Sequence, residues 1–210
     1  MKYIVVDKIS NYILDNLLYK DEKVEGDERE IMLFGVTRIV EDIPKYTLII
    51  LISCYLGVIK RVGIVFLITL LYKVFVGGAH ARTNLGCFVV STLYFLIPAF
   101  LPKYLNIGNK VIYILYSIVF IFSLYVIINI VPADTEEIPI LNKNKRKLMK
   151  CLAFISLIGI YILVLIINNN VLYKITLTTV FLIDLVAIKP VYKMFRCKYS
   201  YESEEFKDYF

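Results

Sequence analysis

The chain has 210 residues and a formal net charge of +6; 59% of its residues are hydrophobic and 20% are charged. Soluble domains contain about 45–50% apolar residues, and a globule of this size has too little interior to bury the surplus. The composition therefore excludes a disordered chain, collagen and a coiled coil, and it predicts an all-α integral membrane protein.

The N-terminal segment, residues 1–45, predicts two amphipathic helices that lie in the membrane interface. The first covers residues 3–18, and its acidic residues argue against a signal peptide. The second is expected to begin at Asp27 and to end before Pro44, because the residue that precedes a proline disfavours helical backbone. Neither helix is apolar enough to span a bilayer. The apolar face of the first helix is formed by Val5, Ile9, Tyr12, Ile13 and Leu17.

A membrane domain, residues 46–188, follows and contains six apolar runs. A helix needs about 20 residues to cross the hydrocarbon core, so the shorter runs would rely on tilt and long polar side chains at their ends. If the first two runs formed one helix, it would bury Lys60 and Arg61, so this pair instead predicts the tip of a hairpin. Pro98 and Pro102 are expected to end the third run. The six runs are residues 46–59, 62–76, 85–101, 111–131, 149–167 and 171–188.

The basic residues lie mostly between the apolar runs, where they act as topology signals, and no nucleic-acid partner is expected. The densest group is the loop 142–150, which predicts a cytoplasmic position. Counting six spans from this loop places both termini in the cytoplasm, including the basic tail 189–210. The stretch 77–84 then lies at the cytoplasmic interface, and the uncharged turn 168–170 lies outside.

The stretch from Gly77 to Cys87 is the most informative part of the sequence, because it combines the single histidine, His80, with a cysteine. An imidazole and a thiol are the minimum for a cysteine nucleophile: the base removes the proton and the thiolate attacks an acyl carbon. On one unbroken helix the two residues would lie about 10.5 Å apart along the axis, too far for a hydrogen bond. The pair therefore requires a break in the backbone, which Gly77 and Gly78 can supply.

The residues after the histidine predict the start of a new helix. Thr83 or Asn84 is the expected N-cap, so Cys87 would lie in the first turn or so. A helix N-terminus favours negative charge and therefore a thiolate at this position. The structural alternative is that Cys87 is a small core residue and His80 an interfacial capping residue.

The three other cysteines, Cys54, Cys151 and Cys197, have no histidine near them in the sequence and are therefore weaker candidates. None of the four cysteines forms a CxxC pair, and one histidine excludes a histidine-rich metal site. We therefore expect no metal site and no cofactor. No structural disulfide is expected, because Cys54, Cys87 and Cys151 fall in or beside the apolar membrane segments.

A second candidate motif, residues 131–140, follows the fourth apolar run. Its prolines, Pro132 and Pro139, stop the helix and stiffen an extended loop. Asp134 could orient His80, as carboxylates orient histidines in catalytic triads. The alternative, which the sequence favours, is a solvated acidic turn.

Both motifs resemble those of the accessory gene regulator protein B family of bacterial quorum sensing. Residues 77–81 (Gly-Gly-Ala-His-Ala), with Cys87 seven residues after the histidine, match the active-site motif of that family. Residues 132–135 (Pro-Ala-Asp-Thr), with Pro139, match its second signature, and the basic loop follows in the same order. The resemblance covers essentially the whole chain.

The resemblance implies a membrane cysteine endopeptidase that cuts the C-terminal part from a short signal-peptide precursor through an acyl-enzyme thioester. Such enzymes help to close a thiolactone or lactone ring and so produce an autoinducing peptide. Carried over to this sequence, Cys87 is the nucleophile and His80 the general base and acid. Lys73 stands where the family often has arginine. The positive charge therefore remains, but the planar guanidinium group, which can make two parallel hydrogen bonds to one partner, is lost. The implied partners are the precursor and the lipid of the bacterial cell membrane; self-association into a homo-oligomer is left open.

A small membrane transporter or a scaffold without peptidase activity is the alternative class. A transporter would carry ionisable residues well inside its spans, where they mark a pathway. The few candidates are Lys73, Lys174 and Asp184, and the sequence shows no partner for them.

Overall fold

The all-α prediction is confirmed by the computed structural model of the chain. Its described residues are 4–18, 26–81, 83–105, 107–136 and 138–202. Within these ranges every regular element is a helix, and the β-type pairing consists of two isolated bridges. The chain divides into two compact units, residues 1–55 and 56–210.

The first unit is a pair of packed helices, α1 (Ile4–Ile13, continued by a π-helical turn at Leu14–Leu18) and α2 (Asp27–Tyr55). The second helix begins at the predicted residue, but the prediction that it ends before Pro44 is wrong. A proline removes one helical hydrogen bond. The apolar residues that follow it still prefer a helix, because unpaired backbone groups are costly in apolar surroundings. The second interfacial helix and the first apolar run are therefore one continuous helix.

The predicted apolar face of α1 lies on the outside of this unit. Ile9 and Tyr12 are exposed, whereas Ser10 and Leu14 are buried. The side chains of Val5 and Leu17, which were assigned to the same face, are outside the described part of the chain. An outward apolar face suits a helix that lies in a membrane interface.

The second unit begins with a turn at residues 56–58, in which Gly57 has a φ of 66°. It continues as α3 (Ile59–Ile68), a π-helical turn (Thr69–Lys73) and α4 (Val74–Val76). Lys60 and Arg61 therefore lie in the first turn of α3, and the prediction that they form a hairpin tip is wrong. The chain turns earlier because glycine adopts this left-handed conformation without steric cost.

Four long helices follow, and among the described residues they are the ones long and apolar enough to cross a membrane. The last four predicted apolar runs lie within them, apart from residues 130–131 of the fourth run and residue 188 of the sixth. The prediction that Pro98 and Pro102 end the third run is wrong, because the helix continues through both prolines, as membrane helices often do. The four helices are α5 (Asn84–Tyr104), α6 (Asn109–Asn129), α7 (Lys143–Ile167) and α8 (Asn170–Ala187).

The basic segment that was predicted as a loop forms the first two turns of α7 instead. Asn142 is the N-cap, and its side-chain oxygen accepts hydrogen bonds from the backbone N–H groups of Asn144 at 2.9 Å and Lys145 at 3.2 Å. This cap starts the helix before the apolar run, and lysine and arginine are good helix formers. The predicted polar turn 168–170 is confirmed: Asn168 adopts a left-handed conformation and Asn169 caps α8.

The ionisable side chain inside the bundle has partners that the sequence did not reveal. The carboxylate of Asp184 on α8 accepts a hydrogen bond from the hydroxyl of Tyr72 at 2.9 Å and another from the hydroxyl of Ser123. Near the other end of α8, the ammonium group of Lys174 donates to the carbonyl oxygen of Leu105 at 2.6 Å. Both groups are therefore engaged within the bundle, as buried polar groups must be.

Candidate active site

The chain turns sharply after α4 and enters the histidine loop (residues 77–81). Gly77 and Gly78 have φ of 80° and 138°, which side chains rarely allow. There is also no space for a side chain at either position. A Cβ on Gly77 would lie 2.4 Å from the carbonyl oxygen of Ala133, and one on Gly78 would lie 2.9 Å from Cγ2 of Val186. The predicted break in the backbone near the histidine is thus confirmed, and both positions require glycine.

Backbone hydrogen bonds hold the histidine loop on two sides. Gly78 donates to the carbonyl oxygen of Ala133 at 2.9 Å, and Ala133 donates to that of Val76 at 2.8 Å. Ala79 donates to the carbonyl oxygen of Val186, near the end of α8, at 2.9 Å. The loop before the histidine is therefore fixed both by the second motif and by a membrane helix.

The cysteine lies at the start of the next helix, as predicted. Thr83 is the N-cap of α5, and its hydroxyl oxygen accepts a hydrogen bond from the backbone N–H of Gly86 at 3.1 Å. The backbone N–H of Cys87 donates to the carbonyl oxygen of Thr83 at 2.8 Å, which closes the first turn. Cys87 is half-buried and His80 is exposed. The structure thus places the two candidates on a loop and on the helix that follows it.

Replacing Gly77 by alanine should destabilise the protein more than replacing Gly57, which also has a positive φ but has open space around it. The strain of a left-handed conformation costs about 1–2 kcal/mol in either variant. The clash with the carbonyl oxygen of Ala133 adds to this cost at Gly77 alone. Thermal unfolding of the two purified variants in detergent measures the difference, and equal shifts would contradict a requirement for space at Gly77.

The second motif does not form the solvated acidic turn that the sequence favoured. Asp134 is buried, and its Oδ2 atom accepts hydrogen bonds from Arg146 at 2.7 Å, Ser200 at 2.6 Å and the backbone N–H of Ile140 at 2.9 Å. A buried carboxylate needs such partners because desolvation is costly. Within the described ranges these three groups, rather than His80, bind its carboxylate, so Asp134 holds the loop together.

Arg146, from the basic segment, supports this loop directly. Besides Asp134, its guanidinium group donates to the carbonyl oxygens of Ile140 and Pro132, each at 3.3 Å. The side chain of Arg146 is 18% exposed and that of Asp134 is 2% exposed, so this is a largely desolvated ion pair. One residue of the predicted orientation signal therefore has a structural role.

A third segment, which sequence reasoning missed, completes the site. After α8 the chain forms a short helix, α9 (Lys189–Phe195), and folds back, so that the thiol of Cys197 donates to the carbonyl oxygen of His80 at 2.9 Å. Cys197 was a weak candidate because it is far from the histidine in sequence, and no local pattern could have revealed the contact. The described part of the predicted tail, residues 189–202, is therefore packed against the site.

Tyr192 on α9 joins this segment to the second motif. Its hydroxyl donates to the carbonyl oxygens of Ala133 at 2.8 Å and Asp134 at 3.2 Å, and its ring stacks on that of Tyr199 at 3.9 Å. Burial raises the pKa of Tyr192 above its usual value, so the hydroxyl remains protonated and can donate.

The site therefore consists of three segments that meet at one end of the bundle: the histidine loop, the second motif and the residues after α8. Within the described ranges, no group of three or more His, Cys, Asp or Glu side chains is placed to hold a metal ion. All four cysteines are free thiols. The fold and the site define a helical protein with four helices long and apolar enough to span a membrane, in which the single histidine lies on a loop and Cys87 in the first turn of the helix that follows it.

The family model described as Accessory gene regulator B matches residues 6–188, and the chain belongs to this family. The chain is 28% identical over 209 residues to an AgrB-like protein of Clostridium acetobutylicum, and the alignment covers 95% of this chain and 94% of that protein. It is 27% identical over 203 residues to an AgrB-like protein of Listeria monocytogenes serotype 4a, covering 94% and 96%. No solved structure matches the chain.

Proposed function

We propose that this protein is a membrane cysteine endopeptidase that removes the C-terminal part of a short signal-peptide precursor in quorum sensing. Cys87 is the nucleophile and His80 is the general base and acid. The observation that carries this proposal is the break at Gly77 and Gly78, followed by the capped start of α5. This geometry supports a dyad that one unbroken helix would not allow.

In the first step, His80 takes the proton from the thiol of Cys87, and the thiolate attacks the carbonyl carbon of the scissile peptide bond. The new carbon–sulfur bond forms and the carbon–nitrogen bond breaks. His80 returns the proton to the leaving nitrogen, so the C-terminal fragment departs with a free amino group. The retained peptide stays on Cys87 as a thioester.

In the second step, a thiol or hydroxyl of the retained peptide closes the ring. His80 takes its proton, the sulfur or oxygen attacks the thioester carbon, and the bond to Cys87 breaks. His80 then returns the proton to the sulfur of Cys87, so the enzyme is regenerated. The thioester keeps part of the energy of the peptide bond, and no ATP is required. Water must be excluded from the site, because hydrolysis of the thioester would otherwise compete.

The proposed arrangement in the bacterial cell membrane has six spans, both termini in the cytoplasm and α1 in the interface. Support comes from the basic residues that gather at the end of the bundle where the site lies. Two groups contribute, the first turns of α7 and the residues after α8. They are Lys143, Lys145, Arg146, Lys147, Lys150, Lys189, Lys193, Arg196 and Lys198.

Reporter fusions test this arrangement. A reporter fused after Asn142 and one fused at the C-terminus should both be active on the cytoplasmic side, and a fusion after Asn169 should be active outside. An external signal from either of the first two would contradict the proposed position of the site.

The competing class, a transporter or scaffold, finds less support in the interior of the bundle. Asp184 is bound to Tyr72 and Ser123, and Lys174 caps a carbonyl group, so these groups are satisfied without a pathway. Stability alone requires polar groups inside a protein to be paired, so this pairing does not indicate a transport pathway.

Alkylation of the cysteines separates the two classes. In an enzyme with a Cys87–His80 dyad, alkylation of Cys87 should be fast, should depend on pH and should slow when His80 is replaced by alanine. Cys151 is the matched control, because it is an exposed thiol on another helix. The rates are measured by peptide mapping of the labelled protein. Equal, slow labelling of both cysteines, with or without His80, would support the structural class.

A further inference from the structure

The C-terminal segment (residues 196–202) is built into the site by a strained turn. The backbone N–H of Arg196 donates to the carbonyl oxygen of Lys193, and that of Cys197 donates to that of Tyr192, which together form a Schellman cap. Arg196 occupies the left-handed position, with a φ of 57°, where glycine is usual. This conformation is unfavourable for arginine, and strain of this kind persists only where the surroundings enforce it.

Three hydrogen bonds hold the C-terminal segment in place. The hydroxyl of Ser200 donates to Asp134, and the hydroxyl of Tyr199 donates to the carbonyl oxygen of Ala187 at 2.7 Å. The backbone N–H of Glu136 donates to the carbonyl oxygen of Lys198 at 3.3 Å. Tyr199 and Ser200 are buried, so the two side-chain hydrogen bonds are made away from solvent. The segment is therefore fixed to α8 and to the second motif.

The C-terminal segment reaches the histidine through one side chain. The thiol of Cys197 lies 2.9 Å from the carbonyl oxygen of His80 and donates to it. The two preceding residues, Gly78 and Ala79, are held by Ala133 and Val186. Cys197 thus contacts the backbone of the histidine itself, in addition to the hydrogen bonds that hold the two preceding residues.

We propose that the C-terminal segment positions His80 for the reaction, with Cys197 as the positioning residue and the Ser200–Asp134 hydrogen bond as its anchor. This inference rests on the proposed function. It also gives the second motif a role toward the histidine: Asp134 acts on His80 through Ser200 and Cys197, and not by a direct contact between carboxylate and imidazole.

The test compares three single variants of the full-length protein. Cys197→Ala removes the donor, Cys197→Ser keeps a donor, and Ser200→Ala removes the anchor while Asp134 keeps its bond to Arg146. We expect Cys197→Ala to slow acyl-enzyme formation about three- to tenfold, the range of one neutral hydrogen bond. The KM for the precursor should stay unchanged, because Cys197 acts on the base. Cys197→Ser should recover at least half of the rate.

The Ser200–Asp134 hydrogen bond predicts a further pattern in the acylation rates. Ser200→Ala should also slow acyl-enzyme formation. The double variant, Cys197→Ala with Ser200→Ala, should lose less than the product of the two single effects, because both act through one segment. Cys151→Ala is the matched control for loss of a thiol and should retain the full rate.

The single histidine allows a measurement that does not depend on turnover. In protein labelled with ¹⁵N-histidine, the imidazole of His80 gives the only side-chain histidine signal. Its chemical shift and its titration with pH should change in Cys197→Ala and return toward the parent in Cys197→Ser. Thermal unfolding and membrane insertion of each variant are measured in parallel.

Two results would overturn the inference. One is a Cys197→Ala protein with an unchanged acylation rate and an unchanged imidazole signal. The other is a loss of rate that Cys197→Ser does not restore and that follows a loss of thermal stability, which would indicate a structural role. The proposed function fails separately, if a Cys87→Ala protein still cleaves the precursor.

Discussion

Replacing Cys87 by alanine should abolish cleavage of the precursor, because in the proposed mechanism its thiolate attacks the scissile bond. Cys87→Ser should be nearly as damaging, since a hydroxyl without strong activation is a much weaker nucleophile than a thiol. The measurement is the cleavage rate of a labelled precursor by purified protein in liposomes. Cys54→Ala and Cys151→Ala are the controls, because they remove exposed thiols from other helices and should leave the rate unchanged.

The covalent intermediate provides the direct readout of this prediction. The retained part of the precursor should be trapped on Cys87 as a thioester, found by mass spectrometry and released by hydroxylamine. Neither Cys87 variant should carry a thioester. If Cys87→Ala still cut the precursor at the full rate, the proposed mechanism would have to be abandoned.

Replacing His80 by alanine should lower the cleavage rate by about 10²–10⁴-fold, the usual contribution of general acid–base catalysis. No second histidine exists in the chain to take over the proton transfer. Because His80 is exposed, imidazole added to the buffer should restore part of the rate in His80→Ala. The same addition should not rescue Cys87→Ala, which makes this variant the control. A His80→Ala protein with normal activity would show that another group is the base.

Local features of the site could be predicted from the sequence because short-range physics determines them. The glycine pair needed for the turn, the Thr83 cap, the position of Cys87 and the Asn168–Asn170 turn all depend on neighbouring residues. The prolines led to wrong helix ends because their local tendency to break a helix is opposed by the apolar surroundings of these segments. Helices continue through Pro44, Pro98 and Pro102, since an apolar segment has no better way to satisfy its backbone.

Tertiary features could not be predicted, because they join residues that are distant in the sequence. The burial of Asp134 depends on Ser200, 66 residues later, and the contact with His80 comes from Cys197, 117 residues later. From spacing in the sequence, Asp134 was predicted to lie in a solvated turn and Cys197 was a weak candidate. The resemblance to a family identified the two motifs but did not indicate how the C-terminal segment packs on them.

The contact between Cys197 and His80 also determines when the site can be complete during biosynthesis. Ribosomes add about 5–20 residues per second, so the 117 residues that separate the two positions are translated over roughly ten seconds. During this interval His80 and Cys87 have already been synthesised, but the contact between the histidine loop and Cys197 cannot yet form. The order of translation thus delays assembly of the site until the final helices have been inserted.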